Sequence, residues 1–124
     1  MNNRNFNHIE WHDLIVKDVK IDRSNPGRKD ELYFTICDND NGVFSLSFKE
    51  VYWANLHLNF GIISEETILN ACELDDTDED LQALYKKWNN TDLGNLKVYK
   101  MVLNATNSII KIIAKDFELT EKTK

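Results

Sequence analysis

Glu31-Leu32-Tyr33-Phe34-Thr35-Ile36-Cys37-Asp38-Asn39-Asp40-Asn41-Gly42-Val43-Phe44-Ser45-Leu46-Ser47-Phe48 is the stretch that decides the fold. Leu32, Phe34 and Ile36 alternate with Tyr33, Thr35 and Cys37. Past the polar break, Phe44, Leu46 and Phe48 alternate with Ser45 and Ser47. Successive side chains of a strand point to opposite faces, so this period of two predicts two half-buried strands. Asn41-Gly42 at their junction favours a type I′ turn, whose twist suits a hairpin.

The same pattern extends in both directions. Residues 14–22 read as a strand, with Ile15, Val19 and Ile21 on one face and Lys17 as a blemish on it. Ser24-Asn25-Pro26-Gly27, with the only proline of the chain, then marks a turn, because Pro fixes φ and Gly tolerates φ above zero. Downstream, Val51, Tyr52, Trp53, Leu56, Leu58 and Phe60 continue the third strand, bend it, or begin a new one. Residues 64–74 fit either a strand or a short helix capped by Ser64. After Asp92-Leu93-Gly94, the residues Leu96, Val98 and Val102 alternate with Lys97, Tyr99 and Met101. A turn cluster, Asn104 to Ser108, leads to a last strand in which Ile109, Ile113, Phe117 and Leu119 oppose Ile110, Ile112 and Ala114. The tail from Thr120 is expected to fray.

Residues 77–89 break the period. Leu81, Leu84, Tyr85 and Trp88 recur at helical spacing, acids crowd the first turn, and Lys86 and Lys87 lie near the end. Thr77 with Asp80 reads as a capping box. Burial of all four apolar residues is expected. The predicted fold is α+β: an antiparallel sheet of five or six strands in hairpin groups, with one amphipathic helix packed on a face. A single domain over 1–124, with its ordered core at about 10–119, is expected.

The composition suits such a domain. Of 124 residues 42% are hydrophobic, and six Phe, four Tyr and three Trp supply bulk for a core. The net charge of −6 argues against nucleic acid and anionic membranes as partners and for a basic protein. No apolar run approaches the roughly 20 residues of a membrane span, and the polar start has no signal-peptide core, so a cytoplasmic location is expected. The two cysteines, Cys37 and Cys72, show no disulfide-framework or metal-ribbon spacing.

Sites of chemistry are sparse. His12 and Asp13 are an adjacent pair of the kind found in metal-dependent phosphohydrolases, and His8 with His12 would share a helix face. Only three histidines exist, and Glu10 is misplaced for a His-Glu-x-x-His motif. The ordinary reading is a structural pair fixing the start of a strand. Asp38-Asn39-Asp40-Asn41-Gly42 fails the spacing of an EF-hand loop. Gly-rich phosphate loops and nucleophile elbows are missing. No cofactor, no metal and no catalytic residue is expected.

Two surfaces stand out for binding. Glu65, Glu66, Glu73, Asp75, Asp76, Asp78, Glu79 and Asp80 fall within residues 65–80, which hold no Lys or Arg. Such a run is ordinarily a solvated loop with helix-start acids. Its functional reading is a docking patch for a basic partner, such as a nuclease toxin, with charge speeding the encounter. Residues 52–60, with Tyr52, Trp53 and His57, read either as a core strand or as a recognition surface, since Trp and Tyr are favoured anchors.

Trp11-His12-Asp13, Ile21-Asp22-Arg23-Ser24-Asn25-Pro26-Gly27, Val51-Tyr52-Trp53-Ala54 leading into Asn59-Phe60-Gly61-Ile62-Ile63, and Ile112-Ile113-Ala114-Lys115 together resemble a group of small bacterial proteins similar to immunity proteins of polymorphic-toxin systems. The resemblance spans roughly residues 10–119. It implies a cytoplasmic, non-enzymatic protein that binds and blocks a cognate toxin. Beside it stand a small-molecule or carbohydrate-related binding module using residues 52–60, and a metal-dependent enzyme at His12 and Asp13.

Overall fold

The computed structural model describes residues 5–38, 42–88 and 95–122. Among them, six strands and one α-helix follow a short 3-10 helix, Phe6–His8: β1 (Ile15–Asn25), β2 (Lys29–Asp38), β3 (Gly42–His57), β4 (Ile68–Leu74), α1 (Glu79–Lys87), β5 (Lys97–Leu103) and β6 (Ile109–Glu121). They form one antiparallel sheet of order β1-β2-β3-β6-β5-β4. This is the α+β architecture that the alternation and the helical stripe predict.

The two outermost strands also meet. Asp13 N–H donates to Ile68 O at 2.9 Å, Ile68 N–H to Leu14 O at 2.8 Å and Val16 N–H to Glu66 O at 2.8 Å. The sheet thus curls until the start of β1 bonds to the approach to β4. Its concave face is packed by Phe34, Ile36, Leu46, Phe48, Tyr99 and Ile112. The N-terminal segment plugs this core. Phe6, upstream of the expected ordered stretch, is fully buried, its ring centroid 4.7 Å from Trp11, 4.8 Å from Tyr99 and 4.9 Å from Phe117. The Trp11 indole N–H donates to Phe6 O at 2.8 Å and holds the plug in place.

On the convex side, Leu81 and Leu84 of α1 pack on Leu96, Val98 and Ile113. Both faces are therefore covered at Val98 and Tyr99 of β5 and at Ile112 to Ala114 of β6, which explains the adjacent apolar residues there. The expected grouping of Ile113 with Phe117 and Leu119 fails. Ile113 faces the helix, whereas Phe117 and Leu119 join Ile110, Ile112 and Ala114 on the inner core. The switch falls between Ala114 and Phe117, opposite Glu50 of β3, which has φ 53°; the one extra residue of β3, Tyr52, comes next, between the pairs Val51–Ala114 and Trp53–Ile113, and shifts the faces of β3 alone. A bulge shifts side-chain parity, so a strict period of two misassigns everything beyond it.

Other boundaries also differ. Residues 68–74 form a strand, not a helix capped by Ser64. The cap of α1 is Asp78 rather than Thr77: its carboxylate accepts from Asp80 N–H at 3.0 Å and Leu81 N–H at 3.1 Å, while Thr77 bonds Asp75. The helix ends at Lys87, so Trp88 is its C-cap and is 52% exposed instead of buried. Leaving helical geometry takes its side chain off the stripe of Leu81 and Leu84. Asp38 pairs with Gly42, so three residues rather than two connect β2 and β3; residues 39–41 of that turn, like residues 92–94, lie outside the described residues. Thr120 and Glu121, expected to fray, pair with Ser45 and Phe44.

Candidate functional site

β2 and β3 pair only as far as Leu32–Phe48, yet β3 runs on to His57 along β6. Where the two strands part, a cleft of about 370 Å³ opens, lined by Arg23, Asp30, Glu31, Tyr52 and Trp53 over a floor of Leu32, Val51 and Leu56. A second hollow of about 240 Å³ adjoins it, sharing Asp30, Val51 and Tyr52 and adding Arg28, Glu50 and Trp88. The β3 bulge positions this wall. It turns Tyr52 outward, 39% exposed, while Trp53 stays half-buried against the helix-side cluster.

The acids of the cleft are held by short-range bonds. Asp30 Oδ2 accepts Gly27 N–H at 2.9 Å, within the turn where Gly27 takes φ 82°. Asp30 Oδ1 is buried, and among the described residues no donor reaches it. Glu31 accepts the Tyr33 hydroxyl, which, with burial, pushes that phenol up to about 12.

The eight acids of residues 65–80 do not form one patch. Glu65 and Glu66 precede β4, and Glu73 to Asp80 lie at its other end, about 20 Å away at a strand's rise. Several are occupied. Glu66, half-buried, accepts Ala105 N–H at 2.8 Å, Thr106 N–H at 3.3 Å and the Thr106 hydroxyl, and so fixes the turn before β6. Glu65 pairs loosely with Lys17 at 3.4 Å. Asp78 and Asp80 share Lys111, at 2.7 and 2.6 Å. For Asp78, burial works to raise the carboxyl pKa, but hydrogen bonds from Lys111 and from the Leu81 and Asp80 backbone outweigh it and hold the pKa below its ordinary value. The Thr77 hydroxyl and backbone likewise lower Asp75. Asp75, Asp76 and Glu79 are exposed at the helix start, with Glu73 half-buried beside them.

The surface of residues 52–60 is also divided. Tyr52 and Trp53 line the cleft. His57 is exposed at the end of β3, about 15 Å further along the strand. Phe60 belongs to a separate hollow of about 260 Å³ at the inner core's rim, with Phe34 and Ile110.

His12 and Asp13 lie where the chain turns into β1, with largely exposed side chains. The His12 Nδ1 lies 2.9 Å from Leu69 O and its Nε2 3.4 Å from Asp13, which sits at φ 72° as the chain turns into β1. Among the described residues no group of three or more His, Cys, Asp or Glu is placed to hold a metal ion. Cys37 and Cys72 are free and half-buried. No helix of the described residues is long and apolar enough to cross a membrane.

No protein-family model matches the chain, and no curated protein matches it either. The site therefore rests on its own geometry. Asp30, Glu31, Glu50, Arg23 and Arg28 escape a sequence reading, since they are scattered over three separate stretches, 22–23, 28–31 and 49–50, that only the fold brings together. Only the non-alternating Lys49-Glu50-Val51-Tyr52 hints at the bulge that gathers them.

Proposed function

We propose that this chain is a non-catalytic, cytoplasmic binding protein of the immunity kind, which neutralises a cognate toxin by occupying its surface. The observation that carries this reading is Tyr52 with Trp53 at the cleft. Two large amphipathic side chains stand on a rigid strand, one of them exposed, among charges of both signs. Interface energy concentrates on such anchors, and a surrounding polar rim sets register and orientation. The resemblance to immunity proteins and the exposed acids at the start of α1 support a basic partner. Co-expression with the product of the adjacent gene tests the reading. A stable complex is expected, weakened at least tenfold, or about 1.4 kcal/mol, by Tyr52→Ala. No complex with that product, nor any relief of its toxicity, would overturn it.

The same cleft favours a second reading, a small-molecule or carbohydrate-related module. Its volume falls within the range of about 300–1,000 Å³ usual for ligand sites, and aromatic rings suit sugar faces. A thermal-shift screen with mono- and oligosaccharides decides it: a saturable rise in Tm that Tyr52→Ala removes.

A further inference from the structure

The molecule covers or charges most of its sheet edges. Along β4, the Asn7 side chain bonds both the N–H and the carbonyl of Glu73, at 2.6 and 3.4 Å, and His12 meets the Leu69 carbonyl. Along β1, Lys17, Asp18, Lys20, Asp22 and Arg23 supply charge. Both devices keep unpaired backbone from recruiting another strand. β3 is treated differently. Beyond Phe48, no strand among the described residues pairs with its β2-facing side, and residues 51–57, Val-Tyr-Trp-Ala-Asn-Leu-His, hold no Lys, Arg, Asp or Glu. The cleft opens directly beside this edge, with Asp30 and Glu31 in its wall.

We propose that the β3 edge over residues 51–57 takes an extended segment of a basic partner protein as an added strand, with a Lys or Arg side chain of that segment seated against Asp30. This rests on the protein-binding reading and states its mode. Strand addition draws affinity from backbone bonds and specificity from pockets for alternate side chains. Asp30 and Glu31 make the cleft wall acidic, and a guanidinium can meet that wall while stacking on Tyr52. Arg23 and Arg28 line the two hollows, but each hollow holds one more acid than base, Asp30 with Glu31 in one and Asp30 with Glu50 in the other. The chain's net charge of −6 disfavours a second copy in the same place.

Amide hydrogen exchange and a peptide probe test this. In the free chain, alternate amides of residues 51–57 are expected to exchange quickly. Slow exchange throughout would overturn the inference; if it came with doubled mass, the edge would belong to a second copy. A display library of random linear ten-residue peptides is then selected on the chain. Enriched peptides are expected to carry Lys or Arg among alternating apolar residues, to protect residues 51–57, and to bind at least tenfold more weakly to Asp30→Asn and to Tyr52→Ala. Asp30→Asn keeps an acceptor for Gly27, and Tyr52→Ala decides should that variant misfold. No enriched peptide, or equal binding to both variants, would overturn the proposal. The adjacent-gene product separates the two levels. If it binds and protects another surface, strand addition falls and the immunity reading stands. If peptides bind the edge and the toxin does not bind at all, strand addition stands and the immunity reading falls.

Discussion

Lys111 lies beneath the first turn of α1, its ammonium 2.7 Å from the Asp78 carboxylate that caps the same turn. With side chains only 17% and 9% exposed, the pair is largely shielded from water. One contact thereby ties the helix to β6, and it makes Asp78 part of the fold rather than a free docking acid. Asp78→Ala is expected to cost about 2–4 kcal/mol, combining a lost cap with a lost charge-assisted bond. Lys111→Met, which leaves the cap intact, should cost less. Urea unfolding of both single variants and the double variant measures the coupling; full additivity would contradict the geometry.

The same pair sets a pH dependence. The folded Asp78 pKa lies below its ordinary 3.8, so its contribution is present above that value and is lost as pH falls through the folded pKa. The folded Lys111 pKa is raised above 10.5: burial works to lower it, but the Asp78 and Asp80 carboxylates prevail. Its contribution is present below 10.5 and is lost as pH rises through the folded value. The stability difference between the native chain and Lys111→Met should therefore be flat between about pH 4 and 10 and shrink on either side.

Phe6→Ala should destabilise the chain by about 3–5 kcal/mol, because four aromatic rings surround a fully buried side chain. Trp88→Ala, at a half-exposed helix end, should cost only about 1 kcal/mol. Thermal or urea unfolding ranks the two, and the reverse order would mean that the helical stripe does extend to Trp88.

Charge steering by the helix start can be isolated by leaving Asp78 intact. Replacing the exposed Asp75, Asp76 and Glu79 with their amides should slow association with a basic partner several-fold at low salt and little at high salt, with dissociation nearly unchanged. Stopped-flow mixing at two ionic strengths reads this directly.

Local signals in the sequence are read well, and non-local ones poorly. The alternation from Leu32 to Phe48 yields β2 and β3 with the correct inward faces, and Leu81 with Leu84 yields α1. What escapes is whatever two distant segments decide together. Ile113 and Phe117 part company where β6 passes the left-handed Glu50 of the neighbouring strand. Residues 68–74 are a strand because β5 pairs with them, and Phe6 is core because a curled sheet leaves a hollow for it. The site follows the same rule. Tyr52 and Trp53 are legible as anchors, whereas Asp30 reaches them only through the divergence of β2 from β3. The acids of residues 65–80 look like a single feature, but β4 carries them apart.

The bonds between Leu14, Val16, Glu66 and Ile68 that join the sheet's outer strands have a kinetic consequence. They connect positions about fifty residues apart, so the loop-closure entropy must be met before any of them forms. Local hairpins such as β1–β2 and β5–β6 carry no such delay. A chain dominated by distant pairings folds in milliseconds to seconds rather than microseconds, and this seam carries that cost together with the β3–β6 ladder, whose partners are mostly further apart still. Until it closes, the pocket for Phe6 is incomplete, and newly made chains pass through an interval with their aromatic interior open to water.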